Sequence, residues 1–463
     1  MIIMKFGGTS VEDARAMKNV IEIISRERDR KPVVVLSAIS GATNALLRSA
    51  HIALEGNLEK AHVELNMLLE RHVFLLENLI ENRTDIQALI LSIGKRFDEL
   101  KTLCQGITIL GELTNRSLDA IASVGEEFST MILAKAMGEN GYPAELVDAR
   151  TWMVTDEQFT AATPLFDRIE AEANKRILPF VNAGNVVITQ GFIGSTTRGI
   201  TTTLGRGGSD YSAAILGSAL HAEEIQIWTD VDGVLTADPR IAPAAKKLKV
   251  ISFREASELA YFGAKVLHPS TIQPAVEKNI PVIVLNSKRP QSTGTRIVGN
   301  PPRTNAAVKS IASKQGITVV NIQSTRMLMA YGFLSSIFSV FQRHETAVDL
   351  VSTSEVAVSL TIDNSSRLEH IVKDLQVFAD VTVFDHQAIV CVVGEQMRST
   401  TGVVDRVFKA LNNINVMMIS QGASEINMSL VIDEGAVTHA VQQLHREFFE
   451  PVPELDLFEQ VDA

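Results

Sequence analysis

The chain has 463 residues, 46% of them hydrophobic, and its 43 Lys and Arg against 54 Asp and Glu give a formal net charge of −11. This length predicts two or three domains, and the excess of acidic residues argues against nucleic acid or an anionic membrane surface as a partner. No apolar stretch approaches the roughly 20 residues that span a bilayer, and the first residues do not form a signal peptide. Two cysteines, Cys104 and Cys391, lie outside any metal-binding spacing, so we predict a cytoplasmic protein with buried, reduced thiols.

Strands and helices alternate through much of the first 300 residues. This alternation predicts an α/β fold with a largely parallel central sheet that helices cover on both faces. Residues of about 55–120 instead repeat leucine at helical spacing, which predicts a helical insertion beside the sheet. The predicted strands cover residues 2–6, 31–37, 186–190, 224–229 and 280–285, and two of the predicted helices cover residues 11–28 and 209–220.

A proline-containing polar stretch at residues 299–303 marks the predicted end of a catalytic domain, residues 1–300. In the region that follows, residues 301–463, the order β-α-β-β-α occurs twice, which is typical of ferredoxin-like domains. Because such small sheets tend to pair at their edges, we expect a dimer within or between chains. We place the first domain at about residues 315–386 and the second at about residues 301–314 with 387–463.

The first candidate binding feature is the turn between the first predicted strand and helix. Lys5 ends the strand, and Gly7 and Gly8 follow it. Glycines let a ligand approach the backbone closely, and free N–H groups at a helix start attract phosphate. Because the lysine precedes the glycines, this is neither a P-loop nor a GxGxxG turn. The alternative is a tight turn beside a surface lysine.

A second glycine-rich loop covers residues 203–210, where three glycines surround Arg206 and Ser209 begins a helix. Arg206 can bind a carboxylate through two parallel hydrogen bonds. A second helix N-terminus in the same pocket would hold a polyphosphate despite the negative net charge. The alternative is a glycine turn with an N-cap.

Three further positions are candidates for ligand binding. Asp230 follows a predicted strand, and ligands of parallel sheets bind at the carboxyl ends of strands; the alternative is an Asp-Gly turn. Lys265 lies in an otherwise uncharged run and is either a ligand-binding or a solvated lysine. Glu126 precedes an apolar helix, where the helix dipole alone also favours a glutamate.

Six segments follow one another along the chain at residues 5–11, 37–44, 125–129, 203–210, 228–240 and 262–269. Together these segments resemble the aspartokinase family. The C-terminal region, with residues 348–356 and 419–427, is similar to the paired ACT domains of that family. The resemblance covers nearly the whole chain and points to the monofunctional, lysine-sensitive type. It implies an amino-acid-kinase (carbamate-kinase-like) fold followed by two ferredoxin-like ACT domains.

The resemblance implies roles for individual residues of the catalytic domain. Lys5 and Asp210 would form the catalytic centre, where Asp210 orients Lys5, while Glu126 would bind the α-ammonium group of aspartate and Arg206 its α-carboxylate. Leu235 stands where the lysine-sensitive type usually has a tyrosine. The aspartate-binding set would be Thr43, Glu126, Arg206, Gly207, Gly208 and Ser209. The ATP-binding set would be Lys5, Gly7, Gly8, Ser10, Thr229, Asp230, Leu235, Arg240, Lys265 and Val266.

An effector site in the first ACT copy is implied in the same way. Asp349 and Glu355 can pair with ammonium groups, which favours lysine as the feedback inhibitor. Ala330 stands where a serine is usual, which keeps threonine as the alternative. The resemblance also implies a homo-oligomer through the ACT domains, as a dimer or a dimer of dimers. The effector set would be Met327, Ala330, Phe333, Leu334, Val348, Asp349, Ser354 and Glu355.

The implied reaction is the MgATP-dependent phosphorylation of the side-chain carboxylate of L-aspartate, the first step in making lysine, threonine and methionine. That carboxylate has an unperturbed pKa of about 3.9, so it is already ionised and needs no general base. Mg²⁺ would be held by the ATP phosphates, with no metal ligand from the protein. Two alternatives stay open: a kinase for another amino acid, and a non-catalytic amino-acid sensor with a decayed kinase domain.

Overall fold

The computed structural model describes residues 1–263, 267, 269–302, 306–324, 331–395, 397–422, 424–450 and 457–460. The chain forms two compact units, residues 1–233 with 266–301 and residues 234–265 with 302–463. Residues 234–265 were expected in the catalytic domain but pack with the C-terminal region. The chain passes from the first unit to the second for the last time after residue 301, close to the expected boundary at residue 300.

The helices and strands of the described residues follow in chain order. The strands are β1 (Ile2–Phe6), β2 (Pro32–Leu36), β3 (Ala144–Leu146), β4 (Val154–Thr155), β5 (Val186–Gln190), β6 (Ile193–Thr196), β7 (Thr201–Thr203), β8 (Glu224–Thr229), β9 (Lys246–Leu248), β10 (Val250–Ser252), β11 (Val282–Asn286), β12 (Thr295–Val298), β13 (Ser310–Gln323), β14 (Val351–Thr353), β15 (Ala357–Ile362), β16 (Asp380–Val393), β17 (Val416–Gln421), β18 (Asn427–Asp433) and β19 (Phe458–Gln460). The α-helices are α1 (Ala14–Arg26), α2 (Ala42–Leu54), α3 (Leu58–Leu79), α4 (Arg83–Leu110), α5 (Asn115–Ala122), α6 (Val124–Glu139), α7 (Phe166–Arg176), α8 (Leu178–Asn182), α9 (Gly208–Ala219), α10 (Phe253–Tyr261), α11 (Gln273–Glu277), α12 (Phe333–Arg343), α13 (Leu368–Leu375), α14 (Val403–Ala410) and α15 (Val437–Phe449).

The first unit is built on a central sheet in the order β12-β11-β8-β1-β2-β5-β3. Every described pair in this order is parallel except β11 with β12, which confirms the predicted parallel sheet. Each residue of β1, β2 and β5 is buried, because helices cover both faces of such a sheet. The carboxyl ends of β1, β2 and β8 therefore lie side by side, with Lys5 opposite Val35 and Ile227.

Helices α3 and α4 form most of the predicted insertion beside the sheet. Asn57 and Asn82 cap their N-termini through side-chain oxygens, and Gly111 ends α4 with a left-handed φ of 62°. Leucines of α3 join the same hydrophobic core as the helices around the sheet. His72 is fully buried there, 5.1 Å from the ring of Phe128, and burial lowers its pKa to about 4. The insertion is thus held by apolar packing and capped helix ends.

The predicted helix over residues 11–28 is shorter than expected. It begins at Ala14, because the side chain of Asp13 accepts a hydrogen bond from the N–H of Ala16 and caps the helix there. Residues 8–10 form a separate 3₁₀ turn. The glycine turn after β1 therefore leads into one turn of 3₁₀ helix rather than directly into α1.

The second unit contains a six-stranded antiparallel sheet in the order β14-β15-β13-β16-β18-β17. Separate strands were expected at residues 381–384 and 388–393, but they form one strand of 14 residues, β16. Its partner β13 is also 14 residues long, so that one end pairs residues 310–314 with 389–393 and the other pairs 317–323 with 380–387. The two β-α-β-β-α repeats thus share one sheet.

A buried ion pair is one of the contacts that join residues 234–265 to the rest of this unit. Lys309 and Glu255 are 1% and 0% exposed, with 2.9 Å between Nζ and Oε1. Glu255 also accepts hydrogen bonds from the N–H and hydroxyl of Ser252, which closes a capping box at the start of α10. Removing one partner would leave a buried charge unpaired, so the pair ties α10 firmly to the strand that begins at Ser310.

Candidate active site

A pocket of about 570 Å³ opens at the carboxyl ends of β1, β2 and β8. It brings together the two glycine-rich loops that the sequence places about 200 residues apart. Ligands of open parallel sheets bind at this edge. The lining residues are Lys5, Gly7, Gly8, Thr9, Ser37, Ala38, Ile39, Ser40, Gly41, Thr43, Asn44, Glu126, Phe192, Gly205, Arg206, Gly207, Gly208, Ser209, Asp210, Thr229 and Asp230.

Lys5 and Asp210 form an ion pair inside this pocket. The distance between Lys5 Nζ and Asp210 Oδ1 is 2.6 Å, and the Lys5 residue is 8% exposed. Lys5 is held by the central strand β1, and Asp210 lies in the first turn of α9. Both side chains are therefore fixed by rigid elements, with a shielded cation at the pocket wall.

The turn after β1 requires a glycine at position 8. A Cβ on Gly8 would lie 2.9 Å from the carbonyl oxygen of Ala38, closer than real Cβ contacts. The N–H of Gly7 donates to the carbonyl of Trp228 at 3.0 Å, which joins the turn to the end of β8. The close approach places residues 37–44 against residues 7–9 on one wall of the pocket.

The second loop owes its shape to two glycines. Gly205 and Gly207 have φ values of 77° and 73°, which lie in the left-handed region that glycine adopts without strain. Helix α9 then begins at Gly208, so its first N–H groups face the pocket lining. Arg206 is exposed on this loop, and among the described residues no carboxylate pairs with it. The arrangement provides a helix N-terminus and a guanidinium group for an anion.

Glu126 is a buried acidic residue of the pocket lining. It is 4% exposed and lies in the first turn of α6. A Cβ on Gly125 would come within 2.7 Å of Ala38 Cβ, so the glycine lets α6 approach residues 37–44. Burial raises the Glu126 pKa to about 8, and its Oε2 has no hydrogen-bond partner among the described residues. A buried acceptor without a partner is suited to a cationic ligand.

Five of the residues predicted to bind ATP line the pocket, and Ser10 does not. The five are Lys5, Gly7, Gly8, Thr229 and Asp230. The Ser10 hydroxyl is buried 2.7 Å from the Ser287 hydroxyl, so it bonds to protein rather than facing the pocket as predicted.

The remaining nucleotide predictions lie in the second unit or outside the described residues. The Leu235 carbonyl accepts a hydrogen bond from Ser310, and the Arg240 guanidinium pairs with Asp238 at 2.6 Å. Lys265 and Val266 lie outside the described residues.

The predicted effector residues that the structure describes lie at the start of α12 and beyond the two ends of β14. Phe333 and Leu334 begin α12, Val348 and Asp349 precede β14, and Ser354 lies between β14 and β15 with Glu355. The Asp349 side chain is 3% exposed; its Oδ1 accepts a hydrogen bond from the Tyr261 hydroxyl at 2.6 Å and lies 3.5 Å from Lys314 Nζ. Met327 and Ala330 lie outside the described residues.

Sequence reasoning missed much of the wall formed by residues 37–44. Only Thr43 was predicted, although Ser37, Ser40 and Asn44 also line the pocket. The rule that ligands lie at the carboxyl ends of strands would have included them, because β2 ends at Leu36. Phe192 also lines the pocket with a left-handed φ of 67°, and nothing in its sequence context signals this.

Comparisons with known proteins identify the family. Residues 1–286 match the amino acid kinase family, and residues 390–448 match an ACT domain. The chain is 39% identical to aspartokinase 3, chloroplastic, of Arabidopsis thaliana, over 97% of this chain and 81% of the relative. It is 37% identical to lysine-sensitive aspartokinase 3 of Escherichia coli, over 97% of this chain and 99% of the relative. The chain belongs to the aspartokinase family.

The similarity of this aspartokinase extends to solved structures. It matches E. coli aspartokinase III in complex with aspartate and ADP (R-state) with a TM-score of 0.83 and 36% identity, over 97% of this chain and all of the other. It matches the same enzyme in complex with lysine and aspartate (T-state) with a TM-score of 0.81. These findings confirm the predicted fold class, family and enzyme: the chain is an ATP-using aspartate kinase. Within the described ranges, no helix has the length and apolar composition needed to cross a membrane.

Proposed function

We propose that this aspartokinase binds aspartate and MgATP in the pocket at the ends of β1, β2 and β8, with Lys5 and Asp210 as its catalytic centre. The observation that carries the proposal is the convergence of the Lys5–Asp210 ion pair, the N-terminus of α9 and the buried Glu126 on one cavity. Cationic groups and one unpaired carboxylate match a substrate that carries two carboxylates and one ammonium group.

Aspartate is held by its amino-acid end in this proposal. Glu126 pairs with the α-ammonium group, because a buried carboxylate with a free oxygen gains most from a cation. Arg206 binds the α-carboxylate through its planar guanidinium group. Thr43, Gly207, Gly208 and Ser209, which line the same cavity, supply the remaining hydrogen bonds. The side-chain carboxylate is left free to face the nucleotide.

The reaction brings two anions together, so the enzyme's task is positioning and charge neutralisation. The ionised side-chain carboxylate attacks the γ-phosphorus of ATP without a general base. The bond from that phosphorus to the β–γ bridging oxygen breaks, and ADP leaves with that oxygen. Lys5 stabilises the charge that spreads over the transferring phosphoryl oxygens, and the Asp210 carboxylate fixes the Lys5 ammonium by its 2.6 Å contact. The backbone at Gly7 and Gly8 leaves room for the phosphates, and Thr229 with Asp230 lies beside them on the pocket wall.

Mg²⁺ would enter with the nucleotide and would be held by the ATP phosphates. The pocket fits such an ion, since Mg²⁺ usually keeps several waters and needs only one or two protein carboxylates, and Asp210 and Asp230 both line the cavity. The ion would supply further neutralisation of the phosphate charge. We assign Leu235, Arg240, Lys265 and Val266 to the rest of the nucleotide.

We assign the second unit to feedback regulation by lysine, bound near Asp349 and Glu355. The Asp349 carboxylate can bind an ammonium group, since its Oδ1 already lies beside that of Lys314. A solved structure of the E. coli relative holds lysine with aspartate. An effector changes activity only by preferring one global state. Threonine is the alternative effector. A homo-oligomer through two ACT domains, at about residues 315–386 and 301–314 with 387–463, and a cytoplasmic location remain predictions.

An aspartate hydroxamate assay with ATP tests the proposal. We expect hydroxamate with aspartate, little with glutamate, and inhibition by lysine but not by threonine. Arg206→Ala should raise the KM for aspartate, and Lys18→Ala, an exposed change on α1, serves as the control. An unchanged aspartate KM in Arg206→Ala would refute the substrate assignment. Inhibition by threonine alone would overturn lysine as the effector.

A further inference from the structure

We infer that Asp119 is a positioning residue for aspartate binding, which acts by holding the loop that carries Arg206. Asp119 lies in α5, is 1% exposed and does not line the pocket. The inference rests on the proposed role of Arg206. Asp119 itself lies outside the sequence motifs and the glycine-rich turns described above.

Three donors from two distant segments converge on this carboxylate. The N–H of Thr160 lies 3.0 Å from both Asp119 oxygens. The N–H of Thr203 donates to Oδ2 at 3.0 Å, and the Thr203 hydroxyl donates to Oδ1 at 2.7 Å. All three groups donate hydrogen bonds, so the site needs a side chain that only accepts them. An ionised carboxylate has this property.

The two segments flank the bend of the second glycine-rich loop. Thr203 ends β7 three residues before Arg206, and its carbonyl accepts a hydrogen bond from the N–H of Ala162. A Cβ on Gly205 would lie 3.0 Å from the carbonyl oxygen of Thr160, which shows how closely the segments approach. Asp119 therefore clamps both sides of the bend from which Arg206 and the start of α9 project.

The clamp holds a strained residue in place. Thr160 has a φ of 72°, a left-handed conformation that a β-branched side chain adopts only when its surroundings enforce it. Its N–H is shared between the two carboxylate oxygens. Replacing one oxygen by an amide group would point a donor at a donor, so we expect Thr160 and Gly205 to relax together.

The effect should be selective for aspartate. Arg206 and the α9 N-terminus carry the proposed aspartate contacts, whereas the phosphate-facing turn is fixed by β1 and the end of β8. A displaced loop would thus weaken aspartate binding and leave nucleotide binding largely intact. If a residue only stabilised the fold, its substitution would lower stability and would not change the aspartate KM more than the ATP KM.

The test is Asp119→Asn, with KM for aspartate, KM for ATP, kcat and melting temperature measured on the full chain. We expect the aspartate KM to rise at least about tenfold and the ATP KM to change by less than about twofold. Glu224→Gln is the matched control, since Glu224 is also a buried carboxylate, lies at the other end of β8 and pairs with Arg30 and Arg296. Glu224→Gln should lower the melting temperature and leave the ratio of the aspartate KM to the ATP KM as it is in the wild type.

Milder variants keep the inference testable if Asp119→Asn does not fold. Thr203→Val removes one donor and should raise the aspartate KM by about threefold, while Thr203→Ser keeps the hydroxyl and should restore it. In an Arg206→Ala background, Asp119→Asn should add little to the aspartate KM, because the two residues act on one contact. Equal rises in both KM values would overturn the inference. If Arg206→Ala itself leaves the aspartate KM unchanged, the substrate assignment fails instead.

Discussion

The ammonium group of Lys5 lies 2.6 Å from the carboxylate of Asp210, although the two residues are 205 positions apart. One belongs to the central strand of a parallel sheet and the other to the first turn of a helix that starts beside it. The pair puts a shielded positive charge at the N-terminus of α9 inside a protein of net charge −11. This local field is what the proposed phosphoryl transfer requires.

Removing the Lys5 charge should affect turnover more than stability. We expect Lys5→Ala to lower kcat by at least roughly two orders of magnitude, the scale of losing one electrostatic stabiliser of a transition state. Steady-state kinetics of Lys5→Ala beside Lys18→Ala would check this. A kcat within about threefold of the wild type would remove Lys5 from the catalytic centre.

Aspartate binding should release a proton near neutral pH. The Glu126 pKa of about 8 means that the free protein holds this carboxyl largely protonated at pH 7, whereas pairing with the substrate ammonium requires the carboxylate. We expect the aspartate KM to fall by up to about tenfold per pH unit between pH 6 and the pKa, and to level off above it. Calorimetry in buffers of different ionisation enthalpy would measure the released proton, and Glu126→Gln should show neither effect.

The same group should make stability depend on pH. Its folded pKa of about 8 lies above the ordinary value of 4.5, so the folded state holds the proton more tightly. This contribution is complete below about pH 4.5 and is lost as pH rises towards 8. The melting temperature of the wild type should therefore fall between pH 5 and 8.5 more steeply than that of Glu126→Gln. Parallel curves for the two proteins would contradict the buried state of the carboxyl.

Gly8→Ala tests the close approach on which the pocket depends. The new Cβ would lie 2.9 Å from the backbone oxygen of Ala38, so the turn and residues 37–44 must move apart. We expect a loss of activity with a raised ATP KM. Gly94→Ala is the control. Gly94 lies inside α4, and a Cβ there would meet no atom of the described residues within 4 Å apart from the backbone of that helix. This substitution should stabilise the helix by up to about 1 kcal/mol. Normal kinetics in Gly8→Ala would show that the close approach is not needed.

The proposed effector site depends on the buried Asp349. We expect Asp349→Asn to abolish or greatly weaken inhibition by lysine and to leave the kinetics without effector close to those of the wild type, since Asp349 lies in the second unit. Asp363→Asn is a suitable control: Asp363 pairs with Lys314 at 2.8 Å but is not an effector residue in our assignment. The measurement is the lysine concentration that halves activity. Equal inhibition of both variants would exclude Asp349.

Local patterns were sufficient for much of the fold. The strands Ile2–Phe6, Val186–Gln190 and Glu224–Thr229 agree with the predicted ranges residue for residue, because each is a short run rich in β-branched and aromatic residues. Lys5, Arg206 and Asp210 could be singled out for the same reason, since each is a charged residue set against glycines in a strand–helix turn. The family resemblance then connected these separate turns to one reaction.

Long-range packing decides which segments of the chain share a wall of the pocket. The clamp of Asp119 on Thr160 and Thr203, the close packing of Gly125 on Ala38 and the continuous strand Asp380–Val393 depend on pairings between residues far apart in the chain. Hydrophobic periodicity reports which face of an element is buried, but not what buries it. Local patterns therefore specify the helices and strands and the chemistry of the loops. The pocket depends on long-range packing, because contacts across the sheet leave no local signal in the sequence.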